Sequence, residues 1–239
     1  MTRYTLLCLL GFFYGLSGYC QDTVSTGYGH VLPEDFRPGS VVIDSNADVV
    51  VLSDIGHAEL TGLPMLGWRV QFTRYRRLLI RNQKGIDAAK IEIDFDPDRN
   101  GTGKLNSLHA NTYNLKNGQV TKIQVDTADM YLNKDKDGDV TESFSFPQAG
   151  PGSIIEYTYT ITSGSMMRLH SWEFQGAYPR LKSEFTATIP AIFNYAVTTI
   201  GTYPVIHTVD SSVKELEAGN YLVKTLVYNQ SFAYGDVAG

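Results

Sequence analysis

The stretch Gly150-Pro151-Gly152-Ser153-Ile154-Ile155-Glu156-Tyr157-Thr158-Tyr159-Thr160-Ile161-Thr162 decides the fold. Its opening Gly-Pro-Gly forces a turn, because Pro fixes its own φ and Gly reaches conformations that other residues avoid. The remainder alternates with a period of two, the period of a strand. Ile155, Tyr157, Tyr159 and Ile161 fall on one face, and Glu156, Thr158, Thr160 and Thr162 on the other. β-Branched and aromatic residues of this kind suit a pleated, half-buried surface. The expectation is a strand with its isoleucines and tyrosines inward and Glu156 and its threonines outward.

The same reading extends along the chain. Strands are expected over residues 49–58, 68–81, 90–95, 109–115, 119–125, 140–146, 172–175, 183–189, 196–202 and 221–228. In 68–81 the apolar phase changes, with Trp68, Val70 and Phe72 on one parity and Tyr75 and Leu79 on the other. A bulge near Thr73 would reconcile the halves. In 90–95, Ile91, Ile93 and Phe95 are expected inward, and in 183–189 Phe185, Ala187 and Ile189. Asn117-Gly118 is a strong hairpin signal, because both residues tolerate positive φ. Residues 217–220 are expected to form a second hairpin turn, and 44–48 read as one capped helical turn. No amphipathic helix separates the strands, so the fold class is all-β, an antiparallel β-sandwich, not a βαβ fold.

Composition agrees. In 239 residues, 43% are hydrophobic, enough for a core, while only 19% are charged and 15 are Tyr. That profile fits a β-rich extracytoplasmic protein. A formal net charge of −5 argues against nucleic acid or an anionic membrane surface as partner, since both attract basic surfaces.

Residues 1–20 read as a secretory signal peptide. Arg3 is their one charge, an apolar run covers 6–16, and small residues precede Gln21. The run is too short for a membrane span, which needs about 20 apolar residues, and no later run supplies one. Cleavage is expected after Cys20. The alternative is a lipidated Cys20, against which Tyr19 is bulky for a lipoprotein signal. Cys8 and Cys20 are the two cysteines, so the mature chain has no disulfide, thiolate metal site or Cys nucleophile. Residues 21–40 are expected to be an extended lead-in and 41–239 the sandwich domain.

Several segments together resemble a bacterial family, domain of unknown function 3857. They are residues 48–54 (DVVVLSD), 76–85 (RRLLIRNQKG), 110–120 (ANTYNLKNGQV), 144–147 (FSFP), 151–157 (PGSIIEY) and 172–175 (WEFQ). Ser183-Glu184-Phe185, Ile189-Pro190 and Phe193-Asn194-Tyr195 complete the set. The resemblance implies a domain near the N-terminus of a secreted envelope protein, ahead of a transglutaminase-like domain. The chain is expected to stop before that domain, either as a fragment of a longer protein or as a stand-alone copy, and the resemblance implies localisation to the periplasm or association with the outer membrane. It does not carry the activity over, because transglutaminase chemistry needs a Cys, a His and an acid in one site.

No catalytic, cofactor or metal site is expected. Residues 96–101 and 133–138 place oxygen ligands before a Gly as calcium loops do. Ser107 and Phe144 stand where the bidentate Glu belongs, and both loops read as β-turns. His30, His57, His109, His170 and His207 lack ligand spacing. There is no Gly-x-Ser-x-Gly elbow. The one basic cluster holds Arg69, Arg74, Arg76, Arg77, Arg81 and Lys84. It reads as an edge strand guarded by charge, or as a grip for an anionic glycan or a neighbouring domain. Trp172 and Phe174 share a parity and read as core, or as a platform for stacking on a sugar. Trp172, Phe174, Arg74, Arg76, Arg77 and Arg81 are therefore the candidate ligand or partner surface. The function expected is a non-catalytic module packing against a transglutaminase-like domain or other envelope protein. A glycan-binding sandwich is the alternative, and a carboxylate-dependent hydrolase the next.

The export reading makes a direct prediction. Intact-mass analysis of the exported protein should show a chain beginning at Gln21. Retention of residues 1–20, or a lipid on Cys20, would contradict it.

Overall fold

The computed structural model describes residues 27–37, 44, 46–63, 67–95, 103–134, 136, 140–163, 169–193, 195–196, 198, 200–201, 205–215 and 222–233. The signal segment expected over 1–20 and the acidic loop expected over 96–101 lie outside the described residues, as do Asp135, Asp137 and Gly138 of the second loop and the turn expected over 217–220.

The strands, in chain order, are β1 (Val49–Leu63), β2 (Gly67–Ile80), β3 (Lys90–Phe95), β4 (Lys104–Lys116), β5 (Gln119–Gln124) and β6 (Tyr131–Lys134). They continue with β7 (Val140–Ser145), β8 (Ile154–Ser163), β9 (Lys182–Pro190), β10 (Ile206–Glu215) and β11 (Leu222–Ala233). Eight form one sheet, in the order β10-β11-β9-β1-β2-β8-β4-β5. Three form a second, β3-β7-β6. The all-β, sandwich-like architecture expected from the sequence is what the chain adopts. Its pairing is antiparallel except between β1 and β9, which run parallel. A parallel neighbour requires a crossover, and β9 arrives after the chain has passed over β2 and β1 from β8.

The core lies on one face of the large sheet. Ile155, Tyr157, Tyr159 and Ile161 of β8 all reach it, as do Ile91 and Ile93 of β3 and Phe185, Ala187 and Ile189 of β9. Phe144 and Phe146 bring the small sheet onto Tyr157, with ring centroids 6.3 and 6.2 Å away. Beyond the small sheet, Leu169, Trp172, Phe174, Tyr178, Phe193 and Tyr195 pack against the same core. The hairpin at Asn117-Gly118 forms as expected, with φ of 51° and 78°.

Several expectations are corrected. Residues 172–175 are not a strand, and the described residues of 196–202 form none. The first segment must leave the sheet plane to cover the core, which a strand in the ladder could not do. The helical turn expected at 44–48 includes residue 45, outside the described residues, and the described residues of that stretch lie in no helix. The Asp44 side chain instead accepts from Asn46 N at 2.8 Å, and Ala47 N donates to Asp44 O at 3.2 Å, an Asx-type turn. No bulge interrupts β2 near Thr73, where its register with β1 and β8 is continuous. The irregularity lies in β1, between Val51 and Ser53. The phase change in β2 has another cause. Its last four residues, Arg77, Leu78, Leu79 and Ile80, are buried whichever face they occupy.

The second face is therefore partly covered too. Val50, Leu52, Leu79, Tyr113 and Ile154 form a small cluster there, packed against Val31 and Phe36. Residues 27–37, expected as an extended lead-in, are folded onto the sheet and contain a 3₁₀ turn, Pro33–Phe36. This covering also buries Glu156 completely, against the expectation that it faces outward. Thr162, expected outward as well, is buried at the strand end.

The facing of β8 makes the next prediction. Tyr157→Asp places an unpaired charge in the core and should destabilise the protein by more than about 3 kcal/mol in urea denaturation. Thr158→Asp, on the half-exposed side, should cost less than half as much.

Candidate functional site

Two buried charge clusters occupy opposite faces of the large sheet, and both are built around β2. Residues two apart on a strand share a face. Arg74 and Arg76 accordingly project into the core side with Val70, Phe72, Leu78 and Ile80, while Tyr75 and Arg77 project to the other.

On the outer face, Arg77 is fully buried and ties three segments together. Its Nη2 donates to Glu156 Oε1 at 2.6 Å and to the carbonyls of Gly27 and His30 at 2.9 and 2.8 Å. Its Nε reaches the same Glu156 oxygen at 3.1 Å, and its Nη1 reaches Asp35 Oδ2 at 3.2 Å. Glu156 accepts further bonds from Tyr75 Oη at 2.9 Å, Tyr113 Oη at 2.8 Å and Gly29 N at 2.9 Å. Asp35 also accepts from Leu32 N at 3.0 Å. These lone pairs and donors are nearly all used, which is the condition under which buried charge is tolerated.

The Glu156 charge is felt by the tyrosines around it. Burial, then the negative charge of Glu156, pushes the Tyr28 hydroxyl up to about 12. The same two causes, in the same order, raise Tyr75 and Tyr113. Tyr28 Oη is bonded to Asn111 Nδ2 at 2.5 Å.

On the core face, Asp54 of β1 is fully buried among three arginines. Arg74 grips it with two bonds, Nε to Oδ1 and Nη2 to Oδ2, both 2.8 Å. Arg76 Nε lies 3.2 Å from Oδ2 and Arg180 Nη1 3.1 Å from it. The sheet explains the convergence. Asp54 stands opposite Arg76 in β2 and opposite Ser183 in β9, with Arg180 just before β9. Arg180 also donates through Nη1 to the Glu173 carbonyl.

Trp172 flanks this cluster on the Arg74 side. Its Nε1 donates to Ser183 Oγ at 3.1 Å, its ring stacks on Phe185 at 5.6 Å, and the Arg74 guanidinium sits 4.9 Å over it. Gly56 makes this possible, because a Cβ there would lie 2.4 Å from Trp172 Cζ3. His170 packs nearby on Phe72 at 4.6 Å, and burial lowers its pKa.

The basic cluster of the sequence is thus divided. Arg74 and Arg76 converge on Asp54, and Arg77 lies on the opposite face. Arg81 is exposed, donating to the Asp44 and Ala47 carbonyls at 3.0 and 3.3 Å. The reading of an edge strand is corrected, since β2 lies between β1 and β8. Trp172 joins Arg74, while Phe174 packs on the core as a half-buried side chain. Sequence reasoning missed Asp54, Glu156 and Arg180. A signal existed for Glu156, the one acid in β8, which directly follows two isoleucines, and for Asp54, which follows the run Val49 to Leu52 by two positions. Among the described residues, no group of three or more His, Cys, Asp or Glu is placed to hold a metal.

The profile of a family described as a domain of unknown function with a solved structure, DUF3857, matches residues 68–218. The chain belongs to the DUF3857 family. No curated protein matches it. Among solved structures, a candidate protease from Parabacteroides distasonis overlays with a TM-score of 0.51 at 8% identity, over 78% of this chain and 35% of that one. A likeness at that identity shows the fold alone. An M1 zinc metallopeptidase from Deinococcus radiodurans overlays at 0.34 and 10% identity, over 77% of this chain and 42% of its own. A candidate nutrient-binding protein from Legionella pneumophila overlays at 0.31 and 11%, over 78% and 67%. Scores that low carry no argument. This DUF3857 chain spans about a third of the Parabacteroides protein. Among its described residues no helix is long and apolar enough to cross a membrane.

The tyrosines around Glu156 predict an alkaline transition. Their folded pKa values are raised above the unfolded value of about 10. Above that pH the unfolded chain releases protons that the folded chain retains, so rising pH favours unfolding. Stability should hold below about pH 10 and fall as the pH rises toward and through about 12, the folded value of Tyr28. Tyr113→Phe should flatten the decline, measured as urea midpoints across this range.

Proposed function

We propose that this DUF3857 chain is a non-catalytic β-sandwich module of a secreted envelope protein, whose work is to pack against a partner domain. One observation carries the non-catalytic reading. Asp35, Asp54 and Glu156, the buried carboxylates among the described residues, are each held by an arginine. A catalytic carboxylate has to exchange a proton or attack a substrate. These three commit their oxygens to guanidinium groups and, for Glu156, to two tyrosines. Fixed ion pairs of this kind position elements rather than react.

The packing reading is supported by the sheet ends. Tyr131 and Leu132 on β6 are 75% and 66% exposed, and Ile206 on β10 is 58% exposed. Both strands are the last of their sheets. Unpaired edges with apolar side chains suit association with another domain. By the family resemblance that domain is transglutaminase-like. The glycan reading has less support, because the Trp172 ring is already packed by Phe185 and Arg74.

The exported protein should show no transamidation, peptide cleavage or glycoside hydrolysis above buffer. An activity that purifies with it and disappears in Asp54→Asn or Glu156→Gln would overturn the reading.

A further inference from the structure

We propose that Arg74, Arg76 and Arg180 form a binding site for a dianionic tetrahedral oxyanion, either free phosphate or a phosphate monoester. Among the described residues the three guanidinium groups are ion-paired to one carboxylate, Asp54, which leaves two positive charges in excess within the cluster, with Glu173 acting on Arg180 from beyond ion-pair distance. On the other face of the sheet the balance is reversed, with one arginine serving Asp35 and Glu156. The cation excess is therefore local to the Trp172 side.

The hydrogen-bond geometry points the same way. A carboxylate oxygen offers about two lone-pair directions. Asp54 Oδ2 already accepts from Arg74 Nη2 at 2.8 Å, and Arg180 Nη1, which donates to the Glu173 carbonyl, lies 3.1 Å from it as an ion pair. Arg76 Nε approaches to 3.2 Å but makes no hydrogen bond, and Arg180 Nε has no partner either. Arg180 is only 6% exposed. Buried donors in folded proteins are ordinarily paired with protein, water or an ion. Burial lowers the Arg180 pKa; Asp54 opposes this, the charges of Arg76 and Arg74 add to it, and the charge of Glu173 also opposes it.

Guanidinium forks match phosphate and carboxylate oxygens. A dianion balances the excess charge, whereas a monocarboxylate leaves one charge over. Arg74 and Arg76 keep 24% and 17% of their side chains exposed, which opens the cluster to solvent. Trp172 over Arg74 supplies an apolar wall beside it.

The site deepens the reading of a binding module and rests on it, but its test reads binding and not turnover. An enzymatic activity would sink that reading and leave a phosphate isotherm standing. The experiment is calorimetric titration of the exported chain with inorganic phosphate, phenyl phosphate, acetate and chloride at equal ionic strength. Phosphate or phenyl phosphate should bind saturably, and chloride and acetate should not. Tighter binding of phenyl phosphate assigns the site to an ester, and tighter inorganic phosphate to the free ion. Arg76→Gln should weaken binding by about tenfold or more, as expected for losing a charge-assisted donor. Arg69→Gln, an exposed arginine of the same strand, should bind as the parent does. Should Arg76→Gln lower the melting temperature, Arg76→Lys, which keeps the charge without the fork, takes its place with the same expectation. Absence of saturable phosphate binding, acetate binding as well as phosphate, or equal affinity in the Arg76 and parent proteins would overturn the proposal.

Discussion

The contact between Arg77 and Glu156 governs this structure more than any other. Both side chains are wholly buried, they lie on neighbouring strands, and their second set of partners is the segment 27–37. An uncompensated charge in that position would be intolerable, so the two strands, the N-terminal segment and two tyrosines must assemble around it together. The result is a large sheet with both faces covered at one end. That is why β2 reads as amphipathic at its start and as uniformly buried at its finish.

The two clusters divide the acidic and basic residues unequally between the faces. On the outer face two carboxylates share an arginine, and tyrosine hydroxyls supply the remaining donors. On the core face three arginines share a carboxylate, and an indole flanks them on the Arg74 side. The first arrangement is closed: its acceptors are filled by groups of the chain itself. The second is open, because its donors outnumber its acceptors. A net charge of −5 for the chain hides this local inversion.

Much of the fold was legible because strand alternation and turn chemistry are local. The facing of Tyr157 and Tyr159, the hairpin at Asn117-Gly118 and the inward set of β9 follow from residues within a few positions of each other. What was not legible depends on distant partners. Glu156 looks solvent-facing beside Thr158 until residues 27–37 are laid over it. Trp172 and Phe174 share a parity like a strand pair, yet their segment leaves the sheet to roof the core. The six basic residues of 69–84 look like one patch in the sequence. The pleat sends Arg76 and Arg77 to opposite faces, and the partners that tell them apart, Asp54 and Arg180 against Glu156 and Asp35, are spread across the chain.

The parallel pairing of β1 with β9 has a consequence for how the molecule is made. β1 finds β2 at once, since the two are joined by a short connection, but its other neighbour is β9, with Asp54 opposite Ser183. Closing so distant a contact is entropically slow. During that interval one side of β1 is an open row of backbone donors and acceptors, and Asp54 lacks Arg180. A chain emerging residue by residue during synthesis presents that edge long before its mate exists. The strand at the middle of the finished sheet is therefore the one most in need of protection while the sheet is being completed.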